Sequence, residues 1–133
     1  MKKLTRREVL ANTAVLATSV GALGCQTSGG GSRAKLTRKL NIACVGIGGK
    51  GYTDVTSVSS ENIVAVCDVD FERGKKVLTE FPDAARYQDY RKMLREMGDK
   101  IDAVTVTTPD HMHYPIARMA IEMGKHVYVQ KTL

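Results

Sequence analysis

The chain has 133 residues, 43% of them hydrophobic and 26% charged, the size and apolar content of one domain that buries a core without disulfide staples or structural metals. Its net charge of +6 does not mark a nucleic-acid surface. Residues 1–25 carry Lys2, Lys3, Arg6 and Arg7 against Glu8 alone, and the 16 basic and 13 acidic residues that follow form no basic run with interleaved aromatics.

Residues 1–25 have a charged front, a short apolar middle over residues 11–24 and a small-residue end, the layout of an export leader. The middle is too short, and too interrupted by Asn12, Thr13, Thr18 and Ser19, to span a membrane. Thr5-Arg6-Arg7-Glu8-Val9-Leu10 resembles the twin-arginine signal, with Val9 where that signal usually has Phe. It implies export of a folded protein to the periplasm. An amphipathic helix without a targeting role is the alternative reading. Ala22-Leu23-Gly24-Cys25 resembles a bacterial lipoprotein cleavage box, which implies a lipid anchor on Cys25; the order of Leu and small residue departs from the usual box, so tethered and free forms both stay open. Residues 26–38 are small, polar and glycine-rich, and read as a flexible tether.

From Leu40 the pattern becomes that of a folded domain over residues 39–133. Leu40-Asn-Ile-Ala-Cys-Val45 is a short apolar run suited to a buried parallel strand. Gly46-Ile47-Gly48-Gly49-Lys50-Gly51 follows at once and fits G-x-G-x-x-G. In that motif the first glycine permits a tight turn, the second lets backbone approach a pyrophosphate, and the third lets the next helix pack close to the strand. The helix start then presents unpaired N–H groups and a positive dipole end to the phosphates. The motif alone is weak, since glycine-rich turns also arise for purely conformational reasons. Its context strengthens it. Asn62-Ile-Val-Ala-Val-Cys-Asp68 is a second buried strand ending in a carboxylate 22 residues after Gly46, where a dinucleotide fold puts the acid that accepts from the adenosine ribose hydroxyls. A turn or cap role is the plain alternative for Asp68.

Strand and helix keep alternating. Gly74, Val77, Leu78 and Phe81 share one face of a predicted helix over residues 71–81, stopped by Pro82. Asp89 caps a predicted helix in which Tyr90, Met93, Leu94 and Met97 recur at helical spacing, with Gly98 as its C-terminal glycine. Residues 101–107 read as a strand, 116–123 as a helix followed by Gly124, and 126–129 as the last strand. This order implies an α/β, doubly wound parallel sheet of Rossmann type with right-handed crossovers. Cys44 and Cys67 sit within apolar runs and read as inert buried thiols; a disulfide between them is the alternative, because their strands are expected to be neighbours.

Several motifs now stand in order: Gly46-Ile-Gly-Gly-Lys-Gly51, Val66-Cys-Asp68-Val-Asp70, Tyr87-Gln-Asp-Tyr-Arg-Lys-Met93, Thr107-Thr-Pro-Asp-His-Met-His113 and Gly124-Lys-His-Val-Tyr-Val-Gln-Lys131. Together they resemble the Gfo/Idh/MocA oxidoreductases over residues 39–133. The resemblance implies NAD or NADP as cofactor, with NAD favoured by Asp68, and oligomers are frequent in the family. It implies that Thr108 and Pro109 border the nicotinamide side, that His113 belongs to the same site, and that Lys131 matches the lysine of a Glu-Lys-Pro signature that contacts the nicotinamide region and the substrate hydroxyl. Lys131 is thus the candidate catalytic residue. Gln130 and Thr132 depart from that signature, and without the proline the backbone that aims Lys131 is less restricted. His111 and His113 are not expected to hold a metal, for no ligand-spaced Cys, Asp or Glu accompanies them.

The family's second domain, which forms most of the substrate pocket, is expected to be absent from this chain, which ends at Leu133. The leading reading is therefore the cofactor half of an oxidoreductase whose parent acts on a sugar, polyol or similar hydroxyl compound. A cofactor-binding fragment without turnover and a non-redox nucleotide-binding protein are the competing readings.

Overall fold

Asn41–Val45 forms the central strand, β1, because apolar residues fall on both of its faces and both faces find a cover. In the computed structural model, which describes residues 38–131, four further strands surround it: β2 (Asn62–Cys67), β3 (Ala85–Tyr87), β4 (Ala103–Val106) and β5 (His126–Val129). The sheet order is β3-β2-β1-β4-β5 and every pairing is parallel. The paired arginines, Cys25, Thr132 and nearly all of the tether lie outside the described residues.

Four helices form the connections: α1 (Lys50–Ser57), α2 (Lys75–Glu80), α3 (Tyr90–Met97) and α4 (Asp110–Glu122). Alternate residues of the strands divide the core in two. Ala43, Val45, Ala65, Cys67, Val104 and Val106 pack with Met93 and Leu94 of α3 and Ile116 and Ala120 of α4. Ile42, Cys44 and Val66 pack with Ile47, Val55 of α1 and Val77 of α2 on the other face. Each Val, Leu, Ile or Met among these contributes about 1.5–3 kcal/mol by leaving water. Two helices per face is the doubly wound arrangement that the alternation of elements implies.

Several boundaries differ from the sequence reading. The helix expected over residues 71–81 is only Lys75–Glu80, because Asp70 holds the preceding residues in turns: its Oδ1 accepts from Glu72 N–H (3.0 Å) and Arg73 N–H (3.3 Å), and its carbonyl accepts from Gly74 N–H. Helix α4 begins at Asp110, six residues earlier than expected. Pro115 lies in its second turn, where the missing N–H removes one intrahelical bond without ending the helix. Gly98 is not a left-handed cap. Its φ of −49° continues into a 3₁₀ turn over Gly98–Lys100, and a Cβ there would stand 2.8 Å from Met123 Cε, so its smallness serves the approach of α4. Strand β3 escaped notice because three residues show no period.

The two described cysteines cannot pair. Their strands are neighbours, but Cys44 belongs to the α1/α2 face and Cys67 to the α3/α4 face, so their side chains leave the sheet in opposite directions. Both are free and buried. Burial pushes the Cys44 thiol up to about 11, against a hydrogen bond with Thr105 that lowers it; burial first, then the charges of Asp68 and Asp89, push Cys67 up to about 12. A folded pKa above the ordinary 9.0 favours the folded protein fully below pH 9, and that contribution is lost as pH rises through 11 and 12. Denaturant titrations between pH 8 and pH 11.5 should accordingly show unfolding free energy falling above pH 9, with a shallower fall in a Cys44→Ala, Cys67→Ala double variant; parallel curves would refute burial as the cause.

Candidate functional site

At the end of β1 the chain must turn within a space bounded by two other strands. Gly46 N–H donates to Cys67 O (2.8 Å), φ is +80°, and a Cβ at this position would lie 2.5 Å from Thr107 O. Only glycine meets both the left-handed backbone and the contact. Gly51 is constrained more tightly still, for its Cβ would fall 2.0 Å from Gly46 O. The first turn of α1 therefore lies directly on the end of β1. Gly48 stands against Arg73, whose Cβ would be 3.1 Å from an added methyl, and Ile47 is wholly buried in the α1/α2 core. The N–H groups of Gly49 and Lys50 have no hydrogen-bond partner among the described residues, and they open an eight-residue helix.

Asp68 follows β2 and faces this loop. Its Oδ2 accepts from Ile47 N–H (2.8 Å) and Gly48 N–H (3.2 Å), and its Oδ1 accepts from Asp70 N–H (3.0 Å). A carboxylate offers about four acceptor positions, so Oδ1 keeps capacity for a further donor. The acid fixes the loop before it meets any ligand.

The turn after β4 forms the next wall. Thr107 N–H donates to Val45 O (2.8 Å), and its Oγ1 donates to Oδ2 of Asp54 (2.9 Å). Asp54, buried on α1, also accepts from Lys50 Nζ. His113 is 1% exposed, and its Nε2 meets Thr108 O at 2.7 Å, which assigns the proton to Nε2 in the neutral ring. Among the described residues, two buried side-chain polar atoms are left without partners, Thr108 Oγ1 and His113 Nδ1.

These turns enclose a groove of about 600 Å³. Of the residues singled out in the sequence, Gly46, Gly48, Gly49, Asp68, Thr108 and Pro109 line it. Ile47, Gly51 and His113 stand behind the wall, acting through a backbone N–H, a close contact and the Thr108 carbonyl respectively. Lys131 is exposed and outside the groove. Strand register nevertheless puts it near, since Val106 pairs with Val129 and Gln130 N–H donates to Val106 O, so Lys131 and Thr108 each follow adjacent strands by two residues. Asp70, Arg73, Gln88, Tyr90 and Met112 also line the groove without having been picked out as site residues. Asp70, Gln88, Tyr90 and Met112 fall within the motifs that carry the family resemblance, and Arg73 alone lies outside them. A second hollow of about 650 Å³ between α1 and α2 shares Gly49 and Arg73, but its remaining walls are charged or hydroxylic side chains and Tyr52, with no glycine-built approach.

A family described as oxidoreductases with an NAD-binding Rossmann fold matches residues 40–133. Inositol 2-dehydrogenase 1 of Saccharopolyspora erythraea is 33% identical over 99 residues, which are 71% of this chain and 29% of that protein. Glycosyl hydrolase family 109 protein 2 of Shewanella sp. strain ANA-3 is 29% identical over 104 residues, 69% of this chain and 22% of that protein. Among solved structures, GenD2 from gentamicin A biosynthesis in complex with NAD has a TM-score of 0.61 at 28% identity, covering 69% of this chain and 26% of its own. Scyllo-inositol dehydrogenase from Lactobacillus casei, with NAD(H) and scyllo-inositol bound, has a TM-score of 0.61 at 23% identity over 69% of this chain and 28% of its own, a likeness of fold. The chain thus spans less than a third of each of these proteins.

Because Asp68 secures the loop from within, Asp68→Ala should destabilise the chain with no ligand present, by about 1.5–3 kcal/mol from lost hydrogen bonds to a charged acceptor, and Asp68→Asn by less. Denaturant unfolding measures both; an unchanged midpoint for the alanine variant would refute the structural role.

Proposed function

The chain belongs to the family of oxidoreductases with an NAD-binding Rossmann fold, and we propose that its groove holds NAD by the turn after β1, by Asp68 and by the turn after β4. One observation carries this reading: the unpartnered N–H groups of Gly49 and Lys50 open a helix at the floor of a groove whose loop is already immobilised. Such donors, with the helix dipole behind them, suit a pyrophosphate. The spare capacity of Asp68 Oδ1 suits a ribose hydroxyl. When bound, NAD supplies hydride transfer at its nicotinamide ring.

The chain's own residues do the rest. Thr108 and Pro109 would border the ring, and His113 keeps that turn in place from behind. Lys131, at the end of the adjoining strand, is the group that holds or moves the proton of a substrate hydroxyl. Asp68 and Asp70 put negative charge where a 2′-phosphate would lie, which favours NAD over NADP, while Arg73 in the same wall works against that preference. The parent protein acts on a sugar, polyol or similar hydroxyl compound, a reading supported by the inositol dehydrogenase among its relatives. The glycosyl hydrolase relative shares the same region, so the cofactor domain leaves the substrate chemistry open. Since Lys131 is exposed and no described side chain holds it, cofactor binding without turnover is the expected behaviour of this polypeptide. The paired arginines, Arg6 and Arg7, support export in folded form to the periplasm, which a protein that loads its cofactor before crossing the membrane requires.

Titration of the chain with NADH and NADPH should show tighter binding of NADH, and no reduced cofactor should accumulate when NAD is supplied with a panel of sugars and polyols. Tighter NADPH binding would remove Asp68 and Asp70 as selectors. Separately, residues 1–38 fused to a reporter active only when exported folded should lose export on changing Arg6 and Arg7 to Lys; unchanged export would refute the twin-arginine reading.

A further inference from the structure

Asp54 is the one carboxylate in the buried set of the described residues, with 7% of its surface exposed. A buried charge must be paired and hydrogen-bonded to be tolerated. Asp54 achieves this with two groups from different elements: Lys50 Nζ on one oxygen and Thr107 Oγ1 on the other. Helix stability does not account for the arrangement. Lys50 is the first residue of α1, where the positive end of the dipole disfavours a cation, and lysine before acid is the weaker order of an i,i+4 pair.

Location does account for it. Lys50 and Thr107 both line the groove, one beside the free N–H groups of the phosphate loop and the other at the end of β4, immediately before Thr108. The turn that carries Thr108 is held at three points: Thr107 N–H by Val45 O, Thr107 Oγ1 by Asp54, and Thr108 O by His113.

We propose that Asp54 is a positioning residue: it locks the Thr107-Thr108 turn to the phosphate loop, so that one carboxylate sets both the lysine beside the pyrophosphate and the turn that borders the nicotinamide half of the cofactor. This rests on the dinucleotide reading of the groove. It adds that the two ends of the cofactor are registered against each other through α1.

The test uses the 133-residue chain titrated with NADH and with ADP-ribose, which has the adenosine, pyrophosphate and second ribose but no nicotinamide. Thr107→Val keeps the side-chain shape and removes the hydroxyl, Thr107→Ser restores it, and Asp54→Asn weakens the hold on both partners; ligand-free melting is followed for each. Thr107→Val should weaken NADH about tenfold and ADP-ribose less than about threefold, a loss under about 0.7 kcal/mol in the second case. Thr107→Ser should recover NADH affinity, and Asp54→Asn should weaken NADH more than ADP-ribose. Equal losses for the two ligands, or unchanged NADH binding by Thr107→Val, would overturn the positioning role while the cofactor reading stands. A parent chain that binds neither ligand would overturn both.

Discussion

The contact between Gly51 and the carbonyl of Gly46 is the constraint from which the rest of the site follows. With a Cβ position 2.0 Å from that oxygen, no other residue lets α1 begin so close to the end of β1. That closeness aims the first N–H groups of the helix into the groove rather than over the sheet, and brings Asp54 within reach of Thr107 on β4's exit turn. A helix displaced by one methyl group would still cover the sheet, but its Asp54 carboxylate would no longer meet Thr107.

Two carboxylates then divide the work of holding the groove open and rigid. Asp68 fastens the loop from the β2 side through backbone N–H groups, and Asp54 fastens it from the α1 side to the β4 turn. Charge-assisted bonds to backbone are short and directional, which is why a loop of six residues with four glycines holds one shape. The groove is therefore prepared in advance of a ligand, and little ordering is left for binding to cost.

The relatives show the same economy at a larger scale. An inositol dehydrogenase and a glycosyl hydrolase family 109 protein both match this region, though they differ in what they are named to act upon. The NAD-binding fold alone therefore does not fix what such a protein acts upon.

Much was legible in the residues alone. Apolar runs separated by glycine-rich or helical segments dictate a parallel sheet, since strands buried on both faces need continuous apolar sequence and crossovers need helices. The G-x-G-x-x-G spacing and the acid after the next strand located the loop and Asp68 for the same reason: steric exclusion of side chains acts locally and leaves its mark at fixed offsets. Strand β3 and the early start of α4 were not legible, one being too short for a period and the other masked by Pro115. Nor was Asp54, which reads in sequence as an ordinary polar helix residue. Whether Cys44 faces Cys67, whether His113 lines the groove or braces it, and which hydroxyl a buried aspartate grips depend on which sheet face a residue occupies and on what arrives there from 53 residues away. Local sequence determined where the chain turns; only the packing of distant segments decided which polar groups meet once it has turned, because hydrogen bonds and burial depend on distance in space and not along the chain.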